Sequence, residues 1–340
     1  MTPIDTALEV ALPDAPAVPN LRFRRFAGAS DLAPMAELHK VVAIADQDDE
    51  IPSPENLRIS LQNKPGFAIG RDMLIAEVGG RIVGEASGTA TIRDGYAVHY
   101  LFGRVHPDWR RRGIGRALVR WNERRARERA TAEPEFAGPG AVLGAWASEF
   151  EPGAQSLYES EGFGVVRYAF TMIHRHLQDA QPLPMPDGLE IRPVTPDQHR
   201  AIFDADDEAF KDHFEHRQAT EQDFVATFSQ PDLDTSLWKI AWDGDQIAGG
   251  VLTYIWKEEN EALGVKRGWL ESVFTRRPWR RRGLARALIG ATLVELRGRG
   301  MEEALLGVDA ENPTGALALY EGLGFEVKVR AMSYRKPLAL

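Results

Sequence analysis

The chain has 340 residues, of which 44% are hydrophobic and 27% charged, and it contains no cysteine. This composition is typical of a globular protein with two domains, and the lack of cysteine excludes disulfides, thiolate metal sites and a thiol nucleophile. The formal net charge of −9 argues against nucleic acid and anionic membranes as partners, because both repel an acidic surface.

No run approaches the ~20 apolar residues that a membrane helix needs, and the N-terminus has no signal-peptide pattern. Residues 1–20 are rich in alanine, proline and aspartate, and we expect them to form a mobile tail. The sequence therefore predicts a cytoplasmic protein that binds no metal and no membrane. It does not reveal the oligomeric state.

The first half alternates strand-like and helix-like segments. Residues 21–26 alternate polar and apolar side chains as a strand does, and Gly79-Gly80 separates two apolar runs as a hairpin turn does. Predicted strands are 21–26, 73–78, 81–88, 98–105, 141–147 and 164–176, and predicted helices are 31–42, 54–62, 114–129 and 154–161.

The second half repeats this order after a proline-rich stretch, QPLPMP at 181–186, which predicts a stiff linker over 178–188. The pattern predicts an α+β fold in each domain, 21–177 and 189–340, with a mixed, mostly antiparallel sheet flanked by helices. Predicted strands are 189–194, 238–242, 247–254, 267–275, 303–309 and 326–336, and predicted helices are 196–214, 221–229, 284–297 and 314–322.

An internal repeat links the two halves. Residues 109–118 read WRRRGIGRAL and residues 279–288 read WRRRGLARAL, at an offset of 170. Leu-Tyr-Glu precedes Gly-Phe in both halves, at 157–163 and 319–325, at an offset of 162. Matches at nearly constant offset indicate two tandem copies of one domain.

Each Arg-Gly segment follows a predicted strand and opens a predicted helix. Free N–H groups at a helix N-terminus attract anions, and arginine suits phosphate. The segment is neither a P-loop nor the dinucleotide GxGxxG. It therefore predicts a pyrophosphate site, with a solvated helix start and a nucleic-acid patch as alternative interpretations.

The segments 105–115 and 275–285 resemble motif A, Arg/Gln-x-x-Gly-x-Gly/Ala, of the GCN5-related N-acetyltransferases, the GNAT family. The region of Tyr320 and Gly324-Phe325 resembles motif B of that family. The resemblance covers both halves, roughly 21–177 and 189–340, and the tandem arrangement is similar to that of two-domain acetyltransferases.

The resemblance implies direct transfer of an acetyl group from acetyl-coenzyme A (acetyl-CoA) to an amine, without an acyl-enzyme. It implies that the pantetheine arm pairs with exposed strand backbone and that backbone amides hold the pyrophosphate. The implied coenzyme-binding residues are Val273, Phe274, Thr275, Arg280, Arg281, Arg282, Gly283, Leu284, Ala285, Arg286 and Asn312 in the C-terminal copy, and Val105, Arg110, Arg111, Arg112, Gly113, Ile114 and Gly115 in the N-terminal copy.

Two residues are candidates for acid–base chemistry. Tyr320 occupies the place of the family's tyrosine acid, and an ordinary tyrosine keeps its proton at neutral pH. Glu271 is the base candidate, because strand alternation would put it on one face with Val273 and Thr275. The alternatives are that Tyr320 only packs its helix, that Glu271 is a solvated carboxylate, and that Asn312 caps a helix instead of binding coenzyme.

The two copies differ at these positions. Leu101 replaces Glu271 and Phe150 replaces Asn312, whereas Tyr158 is retained. We therefore expect the C-terminal copy to be catalytic and the N-terminal copy to be structural, regulatory or a wall of the substrate pocket.

The preferred function is N-acetylation of a small-molecule amine. The acidic stretch 204–216 suits a cationic acceptor, although a solvated helix face is the preferred interpretation of it. The alternatives are a protein or peptide N-acetyltransferase and a non-catalytic acyl-CoA-binding regulatory protein.

Overall fold

A computed structural model describes residues 9–64, 66–214, 216–230, 233–311 and 315–339. The chain divides into two units. Unit 1 comprises the chain up to Val166 together with Met332–Leu340, and unit 2 comprises Arg167–Ala331.

Unit 1 contains a sheet of order β1-β2-β3-β4-β5-β12, in which β4 and β5 run parallel. Strand β3 pairs antiparallel with β2 and with β4. Its strands are β1 (Leu21–Arg24), β2 (Met73–Val78), β3 (Arg81–Arg93), β4 (Tyr96–Val105), β5 (Val142–Ser148) and the end of β12 (Glu326–Pro337), and its helices are α1 (Ala29–Asp46), α2 (Pro54–Asn63), α3 (Ile69–Asp72), α4 (Ile114–Ala132) and α5 (Pro152–Ser160).

Unit 2 contains a sheet of order β6-β11-β10-β9-β8-β7, in which β10 and β11 run parallel. The neighbouring pair β9–β10 is antiparallel. Its strands are β6 (Gly164–His174, from Arg167 onward), β7 (Glu190–Arg192), β8 (Lys239–Asp243), β9 (Gln246–Tyr254), β10 (Arg267–Thr275) and β11 (Glu303–Asp309), and its helices are α6 (His199–Ala209), α7 (Glu221–Phe228), α8 (Lys257–Leu263), α9 (Leu284–Gly298) and α10 (Ala316–Glu321). Both units have the predicted α+β architecture.

The division of the chain differs from the predicted ranges 21–177 and 189–340. Residues 332–340 belong to unit 1, where the Tyr334 ring lies 5.4 Å from that of Tyr158 and the Leu338 N–H donates to the Ala141 carbonyl. Alternation of apolar residues marks a strand but does not reveal which sheet it joins, so chain order alone suggested the wrong partner.

The predicted linker 178–188 packs within unit 2. Arg297 Nη1 donates to the Ala180 carbonyl at 2.7 Å. Leu183 lies against Gly290 of α9, where an added Cβ would come within 2.9 Å of it. This segment is therefore part of the domain surface and not a free connection.

The predicted mobile tail is also packed over the residues that the structure describes. Leu12 is 9% exposed and joins the core beneath α4, and Asp14 pairs with Arg124 of that helix at 2.6 Å. Pro16 lies against Gly113. The prediction from composition is wrong for residues 9–20, because leucine and valine anchor an otherwise polar stretch.

Each face of the unit 2 sheet carries its own core. Leu270 packs with Leu284 and Leu288 on the face covered by α9. Phe274 packs with Ile202 and other residues on the face covered by α6. Burying one such side chain contributes ~1.5–3 kcal/mol, so both faces hold β10 firmly in position.

Candidate functional site

Two neighbouring parallel strands separate in each unit. Strand β4 pairs with β5 from Val98 to Tyr100, and β10 pairs with β11 from Arg267 to Leu270. Beyond these residues β4 continues to Val105 and β10 continues to Thr275 with no parallel pairing within the described part of the chain. The backbone of each strand therefore faces an open gap that another extended chain can enter.

The loop after each of these strands has the same backbone. Arg111 and Arg281 have φ values of 61° and 59°, and Gly113 and Gly283 have φ values of 88° and 85°. A non-glycine residue in this left-handed region costs ~1–3 kcal/mol, which points to a functional constraint. Loops of this kind at a helix N-terminus direct N–H groups towards an anion, and here α4 and α9 begin at the next residue.

The first arginine of each Arg-Gly segment, Arg110 in unit 1 and Arg280 in unit 2, contacts protein groups. Arg110 Nε donates to the Val105 carbonyl at 3.0 Å, and its Nη atoms bind both Asp46 carboxylate oxygens at 2.6 Å. Sequence reasoning assigned this guanidinium to the coenzyme. Its contacts fasten the end of β4 to α1, and a contact with the coenzyme stays a prediction.

Arg280 makes the equivalent contacts in unit 2. Its Nε donates to the Thr275 carbonyl at 3.0 Å, and its Nη atoms reach Asp212 and the Ala209 carbonyl. Arg277 and Arg280 together hold the pKa of Asp212 well below its usual range. Arg280 therefore also holds the loop in place, and its contact with the coenzyme stays a prediction.

Other predicted residues divide into buried and exposed groups. Leu284 and Ile114 are 1% exposed and anchor the starts of the two helices. The exposed arginines are the ones that a solvent-borne phosphate can reach. They are Arg111, Arg112, Arg281, Arg282 and Arg286. Asn312 lies outside the described residues.

Strand β10 carries a bulge at Glu271. Leu270 lies opposite Thr253 and Ser272 lies opposite Leu252, so Glu271 is an extra residue. Val273 packs against the α9 core. Glu271 instead accepts a hydrogen bond from Trp256 Nε1 at 3.3 Å, and burial together with the negative charge of Glu271 raises the pKa of Tyr254 on the α6 face.

The expectation that Glu271 shares a face with Val273 is therefore wrong. The register shift at the bulge breaks the simple alternation on which that expectation depended.

Polar and aromatic groups cluster on the α6 face beside the bulge. Ser272 Oγ donates to Asp206 at 2.5 Å, and burial nevertheless raises the pKa of Asp206 to about 6. The rings of Tyr254 and Trp256 stack with centroids 4.9 Å apart. Sequence reasoning named Asp206 as part of the acidic stretch 204–216 and missed Ser272, Tyr254 and Trp256. The aromatic residues at the end of a predicted strand were the available signal.

Tyr320 lies on the opposite face of the same sheet. It is 6% exposed, packs in the α9 core and has its ring 6.1 Å from that of Phe325. Burial raises its pKa to about 12, so it holds its proton over the whole physiological range. Glu271 and Tyr320 thus lie on opposite faces of the unit 2 sheet.

A buried hydroxyl group lies at the end of β10. Thr275 Oγ1 is buried and has no hydrogen-bond partner among the described residues. An unpaired buried hydroxyl is costly, and a ligand that hydrogen-bonds to it removes that cost.

Unit 1 holds a cavity of about 810 Å³ at the equivalent gap. Its walls include Gly103 of β4, Gly115 of α4 and Tyr158 of α5. Burial and the nearby carboxylate of Glu151 raise the pKa of Tyr158. Asn122 Oδ1, also in the wall, is buried without a partner among the described residues, which suits a polar ligand.

The acidic stretch of α6 is largely occupied by contacts within unit 2. Glu208 pairs with Arg276 at 2.7 Å, and Asp207 accepts the Ala219 N–H at 2.9 Å. Asp212 is engaged by two arginines of the loop. Glu208 and Asp212 therefore hold the loop that follows β10, and Asp207 is engaged by the backbone of the segment that follows α6.

The sequence was compared with known families and proteins. Residues 199–325 match the "Acetyltransferase (GNAT) family" and residues 70–165 match the "Acetyltransferase (GNAT) domain". A mycothiol acetyltransferase of Geodermatophilus obscurus is 30% identical over 289 residues, covering 84% of this chain and 88% of that protein. The chain belongs to the GNAT acetyltransferase family. The predicted tandem architecture and the predicted enzyme class, an N-acetyltransferase, are thereby confirmed.

Solved structures agree with this assignment. A GCN5-related N-acetyltransferase from Sphaerobacter thermophilus has a TM-score of 0.71 at 28% identity, covering 97% of this chain and 98% of its own. A tandem GNAT protein from the clavulanic acid biosynthesis pathway has a TM-score of 0.69 at 18% identity, covering 94% of this chain and 99% of its own. At this identity the similarity shows the fold alone.

Among the described helices, none combines the length and apolar character required to span a bilayer.

Proposed function

We propose that this GNAT enzyme transfers the acetyl group of acetyl-CoA directly to the amine of a small molecule in the cytoplasm. The main support is a geometry that occurs in both units. A strand separates from its parallel neighbour, and the loop that follows it has residues with positive φ just before a helix N-terminus. The open strand edge suits the amide groups of a pantetheine arm. The N–H groups of residues 281–285 suit its pyrophosphate, and Arg281, Arg282 and Arg286 add positive charge.

The C-terminal unit is the proposed place of turnover. Glu271 takes the proton that the amine loses, and the N–H of Val273 stabilises the oxyanion that forms on the thioester carbonyl. Tyr320 returns a proton to the thiolate of coenzyme A. The placement of Glu271 beside the bulge and of Tyr320 in the core on the other face of the sheet supports separate roles for a base and an acid.

The acceptor is proposed to be a cationic small molecule. Trp256, stacked on Tyr254 and bound to Glu271, offers a ring face and a carboxylate to an ammonium group. The relative's name, mycothiol acetyltransferase, supports a small-molecule acceptor.

A second location for turnover has its own support. The cavity of about 810 Å³ lies in unit 1, with Tyr158 and Glu151 in its wall. On this alternative the N-terminal unit is catalytic, and the residues to test are Tyr158 and Glu151.

The proposed function is tested by release of free thiol from acetyl-CoA across a panel of cationic amines, neutral amines and peptides. We expect acetyl-CoA to raise the melting temperature, since a ligand that binds only the folded state stabilises it. We expect thiol release with the cationic amines. Stabilisation without thiol release from any acceptor would favour the non-catalytic binding protein, and release only with peptides would favour a peptide N-acetyltransferase.

A further inference from the structure

The bulge in β10 places two consecutive polar side chains on one face of the unit 2 sheet, whereas successive side chains of a regular strand point to opposite faces. Glu271, the extra residue, accepts a hydrogen bond from Trp256 Nε1 at 3.3 Å. The next residue, Ser272, donates to Asp206 of α6 at 2.5 Å. Trp256 packs against the core beneath α6, so both side chains lie on the α6 face.

Tyr254 lies close to both carboxylates. Its ring stacks on that of Trp256 with centroids 4.9 Å apart, and it is 7% exposed. Burial raises the pKa of Tyr254, and the negative charges of Glu271 and Asp206 raise it further. Glu271 is exposed, and Asp206 and Trp256 are partly exposed. Two carboxylates and an indole ring therefore lie around one phenol, at a surface that a solvent-borne molecule can reach.

Asp206 differs from neighbouring carboxylates in its lack of a cationic partner. Glu208 pairs with Arg276 at 2.7 Å, and Asp212 is held by two arginines of the loop. Within the part of the chain that the structure describes, the side chain of Asp206 forms a hydrogen bond with Ser272 and no ion pair. Burial of a carboxylate without a counter-ion is costly, and a cationic ligand that pairs with it removes that cost.

We propose that Asp206 and Glu271 bind the two ends of one diamine, so that the acceptor of unit 2 carries a second ammonium group besides the amine that is acetylated. This inference rests on the proposed function and names its substrate class. Asp206 pairs with the ammonium group that does not react, and the ring of Trp256 packs against the chain between the two nitrogens.

The nitrogen at Glu271 is the one that reacts, because Glu271 lies on β10, along which the pantetheine arm is proposed to bind. This nitrogen attacks the thioester carbonyl, the C–N bond forms and the C–S bond breaks. Its proton passes to Glu271, and coenzyme A leaves as a thiolate that takes a proton from Tyr320. The second nitrogen stays charged throughout, so its contact with Asp206 contributes to binding and not to the chemical step.

The test is thiol release from acetyl-CoA with acceptors of matched chain length. The diamines putrescine and cadaverine are compared with the monoamines butylamine and pentylamine and with the corresponding amino alcohols. The diamine preference is the ratio of kcat/KM for a diamine to that for the monoamine of the same length. We expect a preference of roughly 10- to 100-fold in the wild type, because a hydrogen bond between charged groups contributes about that much. The amino alcohols should behave like the monoamines, since a hydroxyl group supplies no counter-charge.

Asp206→Asn should reduce the diamine preference to about one by raising KM for the diamine, while kcat and the constants for the monoamine stay nearly unchanged. Glu271→Gln should instead lower kcat for both kinds of acceptor. Asp245→Asn is the matched control, because it neutralises an exposed carboxylate in the turn between β8 and β9. It should keep the preference of the wild type.

Ser272→Ala separates a contact with the diamine from a purely structural role of Asp206. It removes the hydrogen bond to Asp206 and keeps the carboxylate, so the diamine preference should persist. A loss of preference in Ser272→Ala as large as that in Asp206→Asn overturns the inference. An amino alcohol that reacts as well as the diamine also overturns it, because the site would then recognise a neutral donor.

The outcomes distinguish this inference from the proposed function. Thiol release with monoamines and no diamine preference in the wild type overturns the inference alone. Thiol release with none of these acceptors overturns the proposed function, and the inference with it.

Discussion

The two units have the same loop in different surroundings. Gly113 has Pro16 against it, so that a Cβ there would lie 2.9 Å from the proline, whereas a Cβ on Gly283 would have nothing within 4 Å among the described residues. Strand β4 pairs with β3 in unbroken register from Tyr96 to Val105, whereas β10 has a bulge at Glu271. The two units thus share the backbone geometry proposed for an anion and differ at the residues proposed for acid–base chemistry.

This difference indicates that coenzyme binding and acetyl transfer have separate structural requirements. A pyrophosphate needs the left-handed loop and the helix N-terminus, and both units have them. Turnover also needs a proton acceptor beside the gap. Glu271 supplies a carboxylate in unit 2, whereas the matching residue of unit 1, Leu101, is 4% exposed and packs in a core.

The largest expected effect comes from changing the loop glycines. Gly283→Asp puts a negative side chain beside the proposed pyrophosphate at a residue with φ of 85°, and we expect it to abolish turnover. Gly113→Asp should remove one coenzyme site, displace Pro16 and leave most turnover. Calorimetric counting of coenzyme sites beside thiol-release rates measures both variants. If Gly113→Asp folds but loses activity while Gly283→Asp keeps it, catalysis is assigned to unit 1.

A smaller effect is expected at the bulge. Glu271→Gln should lower the rate by roughly 10²-fold, because a positioned base contributes about that much, while coenzyme binding remains. Leu101→Glu is the matched change in unit 1 and should not add activity, since that position has no bulge in its register. Unchanged turnover in Glu271→Gln would make this carboxylate an acceptor contact or a surface group.

The sequence predicted the fold well because the periodic signals were strong. Strands 73–78, 267–275 and 303–309 appear with the predicted bounds. The repeat located both loops. It did not predict that Arg110 pairs with Asp46 or that Arg280 pairs with Asp212. Such pairs depend on tertiary contacts that no local pattern encodes. Helix α8 was missed, because its charged sequence has little apolar periodicity.

Asp206 provides a stability test that is specific to unit 2. Its folded pKa of about 6 lies above the ordinary value of 3.8, so the wild type loses stability as pH rises from about 4 through 6. Asp206→Asn removes the buried charge and should raise the free energy of unfolding by about 1–3 kcal/mol at pH 8. The gain should vanish near pH 4. Thermal unfolding at both pH values measures it, and an equal change at the two would refute the account.

The smallest expected effect concerns the N-terminal segment that packs on unit 1. Asp14→Ala breaks the ion pair between Asp14 and Arg124, whose side chains are 25% and 33% exposed, respectively. The change should lower the free energy of unfolding by ~0.2–1 kcal/mol. Turnover should not change. A fall in thiol release would show that this segment takes part in catalysis.

The central claim is that unit 2 carries out the transfer, and the paired tyrosines test it most directly. Tyr320 and Tyr158 occupy repeated positions and are 6% and 8% exposed, so Tyr→Phe is an equally mild change at each. In single-turnover thiol release at saturating acetyl-CoA, Tyr320→Phe should slow the reaction by roughly 10²-fold while Tyr158→Phe leaves it nearly unchanged. The reverse pattern would contradict the claim and assign the reaction to unit 1.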